Sequence, residues 1–261
     1  MRLTRLFVDV PLQAGQLLEL PKETAAHVAK VLRARGGDPV IVFNGNGEDF
    51  PGVIDSIKNG RAAVTLGAPR SVHNESPLEI TLVQCVPRAD KMDLIVQKAT
   101  ELGVQRIVPV LSQRSVVRLD GAQAHAKQVH WRAVAVSACE QCGRARLPIV
   151  DAPQPLLNYL GLPVPVGLRR WLLEPSGMQA VTPPAPGILQ GLRRVEIAVG
   201  PEGGVAPDEF EAFQLAGYSA ILLGSRVLRT ETAAIAGVVW LQTLYGDLSA
   251  SSDSASRLAD A

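Results

Sequence analysis

The stretch VEIAVGPEGGVAPDEFEAF, Val195 to Phe213, decides the fold class. Val195–Val199 is a short β-branched and apolar run with the composition of a buried strand. The turn Gly200-Pro201-Glu202-Gly203-Gly204 follows, and Pro207 then opens a helix-like segment to Leu215. Strand, glycine loop and helix in succession form one unit of a parallel sheet, because a parallel crossover is long enough to hold a helix. A glycine loop of this kind also brings backbone close to a ligand, and the residues around it must say which.

The same rhythm runs outward from Leu78. LEITLVQCV (Leu78–Val86) is a buried strand, Asp90–Leu102 a helix closed by Gly103, and RIVPVL (Arg106–Leu111) a strand. Ala122–Cys142 is a long helix and Leu147–Val150 a short strand. Trp171–Leu173 and Ala220–Leu223 complete the strands, and Glu231–Tyr245 is the last helix. Pro153–Gly191, rich in proline, is expected to be mostly loop around the Trp171 strand. Such alternation implies a mainly parallel sheet with helices on both faces, and its ligands belong at the carboxyl ends of the strands.

The first 70 residues read differently. Short runs (LFVDV, QLLEL, VIVFN, GVIDSI, AAVTL) are separated by the hairpin signals Asn44-Gly45-Asn46-Gly47 and Lys58-Asn59-Gly60, and one helical segment, Lys22–Arg35, interrupts them. This is a small β-rich, barrel-like domain joined by the polar linker Ser71–Pro77. The expected division is 1–72, 73–246 and a Ser/Ala/Asp-rich tail over 247–261 that composition reads as disordered.

Of 261 residues, 47% are hydrophobic and 20% charged, the balance of an ordinary globular chain. No apolar run is long enough to cross a bilayer and MRLTRLFVDV lacks a signal-peptide core, so a cytosolic protein without a membrane partner is expected. Of three cysteines, Cys139 and Cys142 have the spacing of a redox or metal pair. Without a second pair a four-cysteine zinc site is excluded, no metal is expected, and two small residues one helical turn apart is the preferred reading. The net charge is only +1, but its distribution is uneven. Thr24–Gly37 contains no acid while holding His27, Lys30, Arg33 and Arg35; Arg88, Lys91, Arg114 and Arg118 form a second basic set. Such patches neutralise phosphates, although for any single residue solvated surface is the alternative.

The Gly200–Gly204 turn lacks the Gly-Lys-Ser/Thr of a phosphate-binding loop and the spacing of a dinucleotide fingerprint. Either it is a tight strand-to-helix turn, or its backbone groups line a pocket for a flat polar ligand. Glu202 would repel a polyphosphate and suit a cationic or zwitterionic ligand. Leu222–Ala233 repeats the pattern: a strand ends at Gly224, then Arg226 and Arg229 precede a helix that Thr230 is expected to cap, with Glu231 at its positive end. Two arginines in a ligand-side loop bind an anion or order the loop. A third loop, Leu173-Glu174-Pro175-Ser176-Gly177, follows the Trp171 strand, so three strands end in loops at what should be one sheet edge.

These residues resemble the SPOUT-class RNA methyltransferases, specifically the RsmE type, which methylates uridine N3 in 16S ribosomal RNA. The resemblance rests on GPEGGVAPDEFEAF and LGSRVLRTETAAIAG. It is supported by the opening RLFV, by HVAKVLRARGGD (His27–Asp38), by KMDLIVQKATELGVQRIVPVLSQRSVVR (Lys91–Arg118) and by EQCGRARLPIV (Glu140–Val150). It spans the chain to about residue 246. Where the family usually reads Glu-Gln-Ser, this chain has Glu140-Gln141-Cys142, which makes Cys142 a small-residue replacement. The resemblance implies a PUA-like β-barrel before a SPOUT domain with a C-terminal trefoil knot, a homodimer, and S-adenosylmethionine as methyl donor. Carried over by position, the cofactor loops hold Leu173 and Glu174; Gly200, Pro201, Glu202, Gly203 and Gly204; and Leu223, Gly224 and Leu228.

Methyl transfer to N3 requires loss of its proton and stabilisation of the uridine anion. Arg229 is the first candidate for that role, then Arg226, with Glu231 as a possible base. Arg114 and Arg144 are further candidates, supplied across the dimer. N3 lies on the Watson–Crick edge, so the uridine must be unpaired or splayed out. Arg2, Arg5, His27, Lys30, Arg33 and Arg35 would hold the RNA backbone, with Arg88, Lys91, Arg114 and Arg144 on the catalytic domain. The expected partner is 16S ribosomal RNA in the assembled small subunit. A ribose 2′-O-methyltransferase, a nicotinamide-dependent oxidoreductase and a non-catalytic RNA-binding protein are the competing readings. The loop spacing argues against the second and the intact glycines against the third.

Overall fold

The computed structural model describes residues 3–32, 34–174 and 192–248, with the side chains of Lys30 and Val31 left aside. Arg2, Arg33, the Pro175-Ser176-Gly177 end of the third loop, and the tail beyond Leu248 lie outside the described residues. The chain divides into two compact units, Met1–Glu75 with Ala135–Leu147, and Ser76–Val134 with Pro148–Ala261.

The first unit is built on β1 (Thr4–Phe7), β2 (Leu17–Glu19), α1 (Lys22–Ala26), β3 (Pro39–Phe43), β4 (Glu48–Lys58), β5 (Arg61–Leu66) and β6 (Arg70–Ser71). The sheet order is β1-β3-β4-β5-β2, with β6 on β4; β1 and β3 are parallel and the other pairs antiparallel. Lys58 pairs with Arg61, leaving Asn59 and Gly60 as a two-residue turn at φ 51° and 76°, the left-handed pair that suits the twist of a hairpin. Alternate residues (Leu6, Val40, Val42, Ile54, Val64, Leu66) enclose one apolar core. The helix expected over Lys22–Arg35 is shorter. After α1 the chain widens into a π turn, His27–Val31, where Leu32 N–H reaches back to the His27 carbonyl at 3.1 Å. The Asp38 carboxylate accepts Arg35 N–H at 2.7 Å and Gly37 turns left-handed, so the segment cannot continue as helix. Ala135–Leu147 packs on this barrel-like unit: Glu140 accepts Phe7 N–H at 2.9 Å, and Gly47 N–H donates to the Ala145 carbonyl at 3.0 Å.

The second unit carries β7 (Glu79–Cys85), α2 (Lys91–Glu101), β8 (Arg106–Leu111), α3 (Gly121–Cys142), β9 (Ile149–Val150), β10 (Gln154–Pro155), α4 (Leu156–Leu160), β11 (Arg169–Leu173), β12 (Arg194–Val199), α5 (Pro207–Leu215), β13 (Ser219–Ile221) and α6 (Thr230–Tyr245). The residues of α3 from Ala135 on belong to the first unit. Pro153–Gly191 is less loop-like than its prolines suggest, since β10, α4 and β11 occupy much of its described part. All pairings in the sheet are parallel, in the order β10-β8-β7-β12-β11-β13, with β9 on β8. One face packs on α4 and α5 through Val83, Val108, Leu172, Ala198 and Phe213. Across the other lies α6, against β12, β7 and α2. At Gly237 that approach is so close that a Cβ would stand 2.6 Å from Ile197 Cδ1 and 2.9 Å from Leu173 Cδ1. The connection from β11 to β12 runs mostly through 175–191, so the expected knot falls partly outside the described residues.

The buried carboxylate of Glu196, 3% exposed, accepts from the hydroxyls of Tyr159, at 2.9 Å, and Tyr218, with Arg170 Nε 3.4 Å away. A buried charge persists only with such partners.

Candidate active site

Strand order explains the site. β11 lies between β12 and β13, and Leu173 is in register with both Val199 and Ile221. The three loops that leave these strands, at Glu174, Gly200 and Leu222, are consequently neighbours, and Glu174 N–H bonds the Ile221 carbonyl at 3.1 Å. They enclose a cleft of about 270 Å³. Of the residues expected to hold a cofactor, Leu173, Glu174, Gly200, Pro201, Glu202, Gly204, Leu223 and Leu228 line it; Gly203 and Gly224 do not. Most of its lining is apolar, Leu173, Val199, Leu222 and Leu228 among it, with Gly200 and Gly204 contributing turns that carry no side chain. Gly204 and Gly224 have φ of 69° and 74°, conformations that a side chain disfavours. At Gly200 a Cβ would meet Val205 Cγ2 at 3.0 Å. A largely apolar cleft with glycine turns and no lysine-bearing phosphate loop suits a flat ligand with polar edges.

Thr230 is not the helix cap that its residue type suggests. Arg229 occupies that position with extended backbone, and Thr230 is the first residue of α6. Its hydroxyl donates to the Gly200 carbonyl at 2.7 Å and accepts from Gln84 Nε2 at 2.9 Å. The half-buried Gly200 carbonyl and the second N–H of the buried Gln84 amide take the hydroxyl that a capping threonine would turn to the helix N–H. This bond joins the end of β7, the Gly200 loop and the start of α6.

Arg226 and Arg229 are exposed at the cleft, and among the described residues neither guanidinium has a hydrogen-bond or ion-pair partner. Glu231 stands in the first turn of α6, its Oε2 3.4 Å from Lys91 Nζ. Glu202 is not a free anion facing a ligand: Lys91 Nζ lies 2.9 Å from its Oε1 and Arg88 N–H donates to the same oxygen at 3.2 Å. Burial opposes the charge on Glu202, but the Lys91 ammonium and nearby backbone N–H groups outweigh it and hold its pKa below the ordinary carboxyl value.

Several cations expected at an RNA surface have other work. Arg144 is 4% exposed and grips Glu75 with two bonds, at 3.0 and 2.7 Å. Arg5 pairs with Asp49, donates to the Arg144 carbonyl at 3.1 Å and lies over the Phe43 ring. Both are structural: a buried guanidinium needs a carboxylate, and here it has one. Arg114 donates to the carbonyls of Gly203, at 3.0 Å, and Val205, at 3.2 Å, and braces the glycine loop. Arg88 is exposed, as are His27 and Arg35. Sequence reasoning missed Gln84; a glutamine at the end of an otherwise apolar strand was its one signal. Cys139 is buried, and its hydrogen bond with Cys142 together with that burial raises its thiol pKa, which keeps it an unreactive thiol.

Residues 74–242 match the model of an RNA methyltransferase domain, and residues 20–66 that of an RNA methyltransferase PUA domain. The chain is 31% identical to the ribosomal RNA small subunit methyltransferase E of Buchnera aphidicola, over 95% of this chain and 99% of that protein. It is 32% identical to the protein of the same name from Mycobacterium bovis, over 94% of each. A crystal structure of a ribosomal RNA small subunit methyltransferase E from Neisseria gonorrhoeae, bound to S-adenosyl methionine, superposes with a TM-score of 0.85 at 32% identity. That match covers 95% of this chain and all of the other. The α/β architecture is thus that of a SPOUT fold behind an N-terminal barrel-like PUA domain.

Proposed function

The chain belongs to the RNA methyltransferase family, with that family's PUA domain ahead of the methyltransferase domain, and on that premise we propose that it methylates uridine N3 of 16S ribosomal RNA with S-adenosylmethionine. One observation carries the reading: three adjacent strand ends enclose a largely apolar cleft lined by glycine turns, with two guanidiniums at it that have no partner among the described residues. The same-named relative from Neisseria gonorrhoeae, whose structure holds S-adenosyl methionine, supports the choice of cofactor.

Leu173, Leu223 and Leu228, with the backbone of Gly200, Pro201, Glu202 and Gly204, are the residues that would hold the cofactor. When bound, S-adenosylmethionine supplies an electrophilic methyl group on a sulfonium. The chain's own residues do the rest. Arg229, then Arg226, neutralises the negative charge that develops on the uridine carbonyls as N3 loses its proton. Glu231 accepts that proton, its position fixed by the helix start it occupies. In-line attack needs the base held against the donor, so the rigidity of the cleft mouth contributes directly to rate.

The substrate we infer is 16S ribosomal RNA in the assembled small subunit, in the cytoplasm. A homodimer of knotted subunits is the proposed assembly, and Val227, 79% exposed beside the cleft, is a side chain that a second copy would cover. Among the described residues no helix is long and apolar enough to cross a membrane. The test is to delete the gene and map methylated nucleosides on 16S ribosomal RNA by mass analysis. One N3-methyluridine should vanish and return with the wild type but not with Arg229→Ala. Unchanged ribosomal RNA, or loss of a ribose methyl group instead, overturns the proposal.

A further inference from the structure

The start of α2 contains two features that local energetics disfavour. Lys91 places a cation at the first helical residue, the positive end of the helix dipole. Two residues earlier, Ala89 has φ 53°, a left-handed conformation that a Cβ opposes. Both are explained by Glu202. The turn at Ala89 presents Arg88 N–H to Glu202 Oε1 at 3.2 Å, and Lys91 Nζ meets the same oxygen at 2.9 Å. The same ammonium lies 3.4 Å from Glu231 Oε2, an atom that is buried and makes no hydrogen bond. Two carboxylates thus share one cation where the cofactor loop, the start of α2 and the start of α6 meet. Lys91 in turn is held charged, chiefly by Glu202.

We propose that Lys91 is a positioning residue of the methyl-donor site: it clamps the Gly200–Gly204 loop to α2 and α6 through Glu202 and Glu231, and it is not an RNA contact. The clamp rests on the methyltransferase reading above. With Lys91 removed, Glu202 and Glu231 are left as like charges in a partly enclosed space, and the loop that rims the cleft loses its anchor. An RNA-binding lysine predicts the reverse, weaker RNA binding with an unchanged cofactor site.

Calorimetry on the full chain with S-adenosylmethionine, paired with filter binding to 16S ribosomal RNA in its absence, separates the two. Lys91→Met should weaken S-adenosylmethionine binding by about tenfold or more, the consequence of losing one charge-assisted contact. Lys91→Arg, which keeps the cation, should recover most of that loss. RNA affinity and its salt dependence should stay as in the wild type, whereas a lost phosphate contact would lower the salt slope by about one. Adding Glu202→Gln to Lys91→Met should restore part of the cofactor affinity by removing the uncompensated charge. If Lys91→Met fails to fold by circular dichroism, Glu202→Gln alone reads the link from its other end and should weaken the cofactor while sparing RNA. Equal cofactor affinity in wild type and variant, or a loss confined to RNA, overturns the clamp alone. A wild type that binds no S-adenosylmethionine overturns the methyltransferase reading beneath it.

Discussion

Removing the Thr230 hydroxyl takes the acceptor from one N–H of the fully buried Gln84 amide, whose other bond runs to the Cys85 carbonyl at 2.8 Å, and the donor from the half-buried Gly200 carbonyl. Thr230→Val keeps the shape and should cost about 1–3 kcal/mol, seen as a lower Tm, while Thr230→Ser should restore most of it. Because Gly200 rims the cleft, S-adenosylmethionine affinity should fall in parallel. At Arg144 the expectation is the opposite of an RNA contact. Arg144→Met strands the Glu75 carboxylate and should cost about 3 kcal/mol, a value at the low end for broken buried pairs because Glu75 keeps 19% of its side chain exposed. RNA affinity of the folded fraction should not change. The residue types at these positions were legible in the sequence, but their partners lie 30 to 146 residues away along the chain. An arginine reads the same from sequence whether its carboxylate is present or its phosphate is still to come.

Among the elements, α6 has the tightest seat. Gly237→Val would drive a branched side chain into Ile197 and Leu173 and should destabilise by about 1–3 kcal/mol. Gly237→Ala should cost less. The atoms it meets are δ-methyls that can turn away, and alanine returns about 1 kcal/mol of helix propensity. The end of α3, which belongs to the first unit, makes a different test. Burial works against the charge on Glu140 more than the Phe7 N–H, His27 and Arg5 favour it, so its pKa lies above the ordinary 4.5. A raised carboxyl pKa means stability that is full below the unfolded value and lost as pH rises through the folded one. Glu140→Gln retains the acceptor for Phe7 N–H and escapes that loss. In urea titrations it should match or exceed the wild type at neutral pH, with its advantage gone below about 4.5. Helices and strands were read from periodicity to within a few residues. The reading failed at the π turn and at the Thr230 cap, where a specific long-range or side-chain hydrogen bond outweighed local preference, and at Gln154–Leu160, where prolines hid a short strand and helix.

At the scale of the molecule, binding to a large RNA should be electrostatic although the chain carries a net charge of only +1. Reversing Lys30, Arg33 and Arg35 together to Glu should weaken RNA binding. If each meets one phosphate, the slope of log affinity against log salt should shrink by roughly 2–3. S-adenosylmethionine binding, which belongs to the other unit, should be unaffected. Normal methylation of ribosomal subunits by that variant would place the RNA elsewhere.

By itself the sequence determined the barrel-like first domain, the α/β alternation after it, and three loops that each follow a strand. Those follow from hydrophobic period, turn residues and glycine placement, all properties of short windows. Only the tertiary structure decided that β11 sits between β12 and β13, so that Glu174, Gly200 and Leu222 become neighbours. It also decided which cations have carboxylate partners among the described residues. Arg226 and Arg229 remain open at the cleft, Arg5 and Arg144 are consumed by Asp49 and Glu75, and Lys91 is drawn to two carboxylates. Strand order and charge pairing are set by contacts between residues distant along the chain, whose energies no local window contains.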